Sequence, residues 1–141
     1  MPKVCYNNHM TWQEFEEELN TLSQKIDFTP DIIVGIVRGG LVPARLLSKS
    51  LKVKDMYCLT VKKVGEERKV MSEIKEDFNN KNILLVEDML ETGRSLKVAE
   101  DYLLNKGANV KTVCFYVMSI SEIKPDFYLK EVEVLPVFPW E

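Results

Sequence analysis

The chain is poor in the residues that build metal and disulfide frameworks. It holds one histidine, His9, and three cysteines among 141 residues. Cys5, Cys58 and Cys114 form no CxxC pair, so a structural zinc site is not expected. An odd number of unclustered thiols fits reduced cysteines and a cytoplasmic location. Cys58 and Cys114 lie in apolar runs and read as core residues. No hydrophobic run approaches the ~20 residues that a membrane helix needs. The N-terminal "MPKVCYNNHMTW" lacks the basic region and long apolar core of a signal peptide. There is no G-x-G-x-x-G after a strand, which argues against a dinucleotide fold. Low-complexity tracts, internal repeats and linkers are also missing, so a single domain spanning 1–141 is expected.

What is present fits that domain. Hydrophobic residues make up 45% and charged residues 29%, the composition of a globular protein. A net charge of −3 argues against a general nucleic-acid binder. Thr11-Trp12-Gln13-Glu14 has the form of a capping box. Trp12, Phe15, Leu19, Leu22 and Ile26 follow at helical spacing, which makes Trp12 a packing residue. "IIVGIV", 32–37, is apolar without alternation, as a strand buried on both faces is. "LVPARLLSKSL" reads as a helix with Pro43 in its first turn. A strand is expected over 56–61 and another over 83–87. A helix over 94–105 should end at Lys106-Gly107. "VKTVCFYVM", 110–118, reads as one further strand. Residues 62–80 are highly charged, and no regular element is predicted there. Alternating strands and helices imply an α/β fold: a mostly parallel sheet with helices on both faces.

Two strand ends carry unusual chemistry. In "ILLVEDMLETGRSL" an apolar strand closes on Glu87 and Asp88. Thr92-Gly93-Arg94-Ser95 then turns into a helix, where backbone N–H groups and the helix dipole favour a phosphate. Two acids beside an anion site make sense if they grip a cation or the hydroxyls of a sugar. Adjacent strand residues face opposite ways, so Glu87 and Asp88 are not expected to chelate one ion head-on. Mg²⁺ suits few carboxylates plus ligand phosphates. Arg38-Gly39-Gly40 supplies a second anion site. In parallel sheets ligands bind beyond the carboxyl ends of the strands, so both turns should share one edge. A phosphate, a ribose and a pyrophosphate in line describe phosphoribosyl pyrophosphate.

These motifs resemble those of type I phosphoribosyltransferases, particularly the small xanthine/guanine/hypoxanthine branch. The tail "FPWE" resembles that branch as well. The resemblance implies a hood made by the N-terminal segment and roughly 118–141, and a flexible closing loop over roughly 62–80. It implies that Glu87 and Asp88 serve ribose and Mg²⁺, that Glu91, Thr92, Gly93, Arg94 and Ser95 cradle the 5′-phosphate, and that Arg38 and Gly39 contact pyrophosphate. The family often has a non-proline cis peptide here, at Val37–Arg38. Lys62, Lys63, Arg68 and Lys69 are the loop's candidates to reach the pyrophosphate. Glu91 is the candidate proton acceptor near N7 of a purine, where the branch usually has aspartate. The branch usually contacts the base with a lysine and an aromatic; Met118 and Leu135 align there, and Phe138 and Trp140 are further candidates for the base pocket. The implied reaction is Mg²⁺-dependent phosphoribosyl transfer to a base, a 6-oxopurine first of all, in purine salvage. The alternative is a non-catalytic module that senses a nucleotide or phosphoribosyl pyrophosphate. A homodimer or homotetramer is expected, with no nucleic-acid partner.

Overall fold

The computed structural model describes residues 9–141; Cys5 and the segment before His9 lie outside them. Helix α1, Trp12–Lys25, starts at the capping box read from the sequence: Thr11 accepts from the Glu14 amide and Glu14 accepts from the Thr11 amide. Then come β1 (Ile32–Val37), α2 (Leu41–Leu51), β2 (Asp55–Val64), β3 (Glu67–Val70), β4 (Asn82–Val86) and β5 (Met89–Leu90). Helix α3 (Arg94–Asn105), β6 (Asn109–Val113), β7 (Tyr116–Met118) and β8 (Lys130–Val132) complete the chain.

The main sheet has the order β3-β2-β1-β4-β6, parallel except for β3. Its central strands are covered on both sides, because alternate residues point to opposite faces. Val34, Ile36, Ile83 and Leu85 join Leu96, Ala99 and Leu103 of α3 in one core. Ile33, Leu84 and Val86 join Phe15, Leu19 and Leu22 of α1 and Ala44 and Leu47 of α2 in the other. Each fully buried aliphatic or aromatic side chain contributes about 1.5–3 kcal/mol. This is why 32–37 and 83–86 carry no polar alternation.

A small second sheet, β5-β7-β8, forms the hood. It grows out of the main sheet. The Glu87 amide donates to the Val113 carbonyl (3.0 Å) and the Phe115 amide to the Asp88 carbonyl (3.0 Å), so the β4/β6 ladder passes into β5/β7. The run 110–118 is therefore two strands in two sheets rather than one. Cys114 marks the break, with its side chain buried. The hood takes in Met89–Leu90 and Tyr116 as well as residues after 118, and Met10 ties the start of the described chain to it by donating to Val137 (2.8 Å).

The charged segment 62–80 also differs from expectation. Residues 62–70 form an antiparallel hairpin, with Lys62 opposite Lys69 and Lys63 opposite Arg68. Beyond it, Ile74 and Phe78 are buried in the core and the Ile74 amide donates to the Tyr102 hydroxyl (3.0 Å). The hairpin escapes a periodicity reading because both faces of this ribbon are charged. Cys58 is exposed rather than core, since β2 has only β3 beyond it and lies near the open end of the sheet.

Candidate active site

The peptide bond joining Val37 to Arg38 is cis. The turn that follows is forced close to its neighbour strand. A Cβ on Gly40 would lie 2.4 Å from the Val86 carbonyl oxygen, and one on Gly39 would lie 2.4 Å from Oδ2 of Asp88. The end of β1 and the end of β4 therefore meet, and they meet at the acids. Strands β1 and β4 pair directly, with Gly35 level with Val86.

Strand β4 stops at Val86, so the alternation that would separate Glu87 from Asp88 no longer holds. The two carboxyl groups lie close enough to act on each other. Glu87 also accepts from the Asp88 amide (3.1 Å), and Asp88 accepts from the Met89 amide (2.7 Å). Asp88 is 7% exposed. Burial, then the charge of Asp88, pushes the Glu87 carboxyl well above the usual range. Burial, aided by the charge of Glu141, pushes Asp88 up to about 6. The tail thus brings a third acid toward the pair. Sequence reasoning missed Glu141, and its only signal was its place behind Trp140 in "FPWE".

Two crowded, buried carboxylates lack positive charge. The oxygen donors of Glu87 and Asp88 fit Mg²⁺, which takes few carboxylates and fills its shell with water and ligand oxygens.

Glu91, Thr92, Gly93 and Ser95 line a cleft of about 170 Å³ together with Arg68, Glu87 and Met89. Gly93 has φ +84° and begins α3 as its N-cap. It brings no side chain to cover the first-turn N–H groups. The Thr92 hydroxyl accepts from the Arg94 amide (3.3 Å). The opening is sized for one phosphate, at the positive end of α3. Arg94 lines this cleft as well, and its guanidinium pairs with Glu122 (2.8 Å).

Residues 6–141 match the family model described as a phosphoribosyl transferase domain. The chain belongs to the phosphoribosyl transferase family. This phosphoribosyltransferase is 29% identical to a xanthine-guanine phosphoribosyltransferase of Cereibacter sphaeroides, over 94% of its own length and 86% of the relative's. It is 30% identical to a hypoxanthine-guanine phosphoribosyltransferase of Lactococcus lactis, over 89% and 74% of the two chains. A purine phosphoribosyltransferase from Pyrococcus horikoshii superposes with a TM-score of 0.88 at 31% identity, covering 94% and 92%.

The remaining sequence candidates divide. Of the hairpin cations, Arg68 lines the phosphate cleft, and Lys62, Lys63 and Lys69 do not. Phe138 is 1% exposed and packs among Phe15, Phe115 and Tyr116, so it is core and not a pocket wall. Trp140 stacks on Phe138 (4.6 Å between ring centres) and meets Phe15 edge-on, which anchors the tail. Met118 is half-buried at the end of β7, level with Val132, and Leu135 leans on the α1/α2 core.

Proposed function

We propose that this phosphoribosyltransferase moves the 5-phosphoribosyl group of phosphoribosyl pyrophosphate to a nitrogen of a 6-oxopurine, hypoxanthine, guanine or xanthine, with release of pyrophosphate. The observation that carries this reading is the contact of Gly39 with the Asp88 carboxylate. It makes one cradle of two anion-binding turns with acids between them. The names of the relatives from Cereibacter sphaeroides and Lactococcus lactis support the purine class.

In the proposed mechanism, the α3 N-terminus with Thr92, Gly93 and Ser95 holds the 5′-phosphate. Asp88 and Glu87 grip the ribose hydroxyls and would hold Mg²⁺, which when bound neutralises charge on the pyrophosphate. Arg38 and the Gly39 backbone hold the leaving pyrophosphate. Arg68, on the β2–β3 hairpin, adds positive charge at the rim and helps exclude water from the sugar. The C1–oxygen bond to pyrophosphate breaks as the base nitrogen bonds to C1, and Glu91 accepts the proton that the base gives up. The unpaired thiols of Cys58 and Cys114 support a cytoplasmic setting.

Incubation with phosphoribosyl pyrophosphate, Mg²⁺ and a panel of purines and pyrimidines tests the reading. Formation of a purine nucleoside monophosphate together with pyrophosphate is expected. Absence of product from every base would overturn it.

A further inference from the structure

The hood reaches the phosphate loop through a short strap, residues 119–124. Both ends of the strap are fastened to the hood sheet. The Ser119 amide donates to the Val132 carbonyl of β8 (3.3 Å), and the Ser121 amide donates to the Met118 carbonyl of β7 (2.9 Å). At the far end Lys124 pairs with Glu131 of β8 (3.3 Å). Within the strap the Ser121 hydroxyl donates to the Ile123 carbonyl (2.6 Å) and closes a tight turn.

The middle of the strap lies on the phosphate loop. The Glu122 amide donates to the Thr92 carbonyl (2.9 Å). Two guanidinium nitrogens of Arg94 donate to Oε2 of Glu122 (3.2 and 2.8 Å). Gly93 sits between these contacts. A Cβ there would lie 2.6 Å from Cγ1 of Ile123 and 3.0 Å from Oγ of Ser121. The contacts are not equal in weight. The ion pair is about half exposed at both ends, and such pairs add little. Ile123 is half-buried against the core that holds α3, so its seat on Gly93 is the firmer one.

The loop needs a brace from outside. Gly93 makes the turn possible at φ +84°, but as N-cap it brings no side-chain hydrogen bond to hold that turn. Backbone N–H groups grip a phosphate only where they are aimed at it, and a misplacement of about 1 Å can cost about a hundredfold. Resting on the phosphoribosyl reading of the cleft, we propose that the strap positions the phosphate loop, with Ile123 as a positioning residue for the 5′-phosphate. Ile123 does not line the cleft and acts through Gly93. The Arg38 turn lies on another strand and takes no support from the strap, so the pyrophosphate end of the site is independent of it.

That independence supplies the test. Calorimetry with Mg²⁺ measures binding of inosine, guanosine and xanthosine 5′-monophosphates and, separately, of inorganic pyrophosphate; circular dichroism shows that each variant is folded. The wild-type chain is expected to bind pyrophosphate and at least one monophosphate. Ile123→Ala should weaken the monophosphate about tenfold and pyrophosphate by less than about twofold. Ile123→Val keeps a carbon against Gly93 and should restore the wild-type affinity. Ser121→Ala opens the strap's turn without touching the core, and should weaken the monophosphate selectively by about threefold; it carries the test where Ile123→Ala does not fold. Monophosphate affinity that ignores the substitutions would overturn the proposal and leave the phosphoribosyl reading standing. Equal loss of both ligands, or valine no better than alanine, would also overturn it. A wild-type chain that binds neither ligand would remove the phosphoribosyl reading and the strap's role with it.

Discussion

At Gly39 a single methyl group has no place to go. The three nearest atoms to its missing Cβ are Oδ2, Cγ and Oδ1 of Asp88, at 2.4, 2.6 and 2.7 Å. Asp88 cannot swing aside freely, because it is buried and accepts from the Met89 amide. Gly39→Ala is therefore expected to disturb the acid pair itself. A steady-state assay should show kcat/KM falling by about a hundredfold, with the melting temperature changed far less. Glu91→Ala removes the proposed proton acceptor, which lies on the rim of the cleft. Its kcat should fall about 10²- to 10⁴-fold while affinity for the nucleotide product is kept, which calorimetry can separate from rate. Phe138→Ala should act in the opposite way. The side chain is core, so the loss is about 3–5 kcal/mol of stability in a denaturant titration, with base selectivity unaltered. The sequence offered Phe138 as a pocket aromatic because only its distance along the chain from the tail could be counted. Its burial by Phe15 and Phe115 depends on contacts more than twenty residues away. The thiols show the same limit. Burial pushes the Cys114 thiol up, well beyond the ordinary range, so it stays protonated and shielded. A maleimide should label Cys58 in the folded protein and reach Cys114 only after unfolding, as peptide mapping would show.

Among the elements, those with one strong local signal were legible. Helix α1 announced itself by its capping box, α3 by the turn before it and Gly107 after it, and β1 and β4 by uninterrupted apolar runs. The hairpin β2–β3 and the short hood strands were not. A ribbon with charge on both faces has no period to detect, and strands of two or three residues gain their identity only from a partner. The seam between β4 and β5 explains why strand alternation does not govern the two acids. Alternation of Glu87 and Asp88 presumes a strand, and the strand has already ended at Val86. The hairpin, whose Val61 and Val70 pack against the core beside α3, holds Arg68 at the edge of the phosphate cleft. Arg68→Ala is expected to lower kcat/KM about ten- to a hundredfold, chiefly through the affinity for phosphoribosyl pyrophosphate. The neighbouring Lys69→Ala, whose side chain does not line the cleft, should change it by far less.

For the molecule as a whole, the cradle is assembled by the meeting of β1 and β4, which are neighbours in the sheet but are separated in the chain by α2, β2 and β3. Loop closure over such a stretch is costly, and parallel pairing of distant strands comes late in folding. The pocket for the sugar therefore cannot exist in any partly folded form that lacks this one strand pair. In a refolding experiment, the capacity to capture phosphoribosyl pyrophosphate should emerge together with full amide protection of β1 and β4, and not with the earlier helical signal. A nascent chain still short of Asp88 has half a receptor and no use for its ligand.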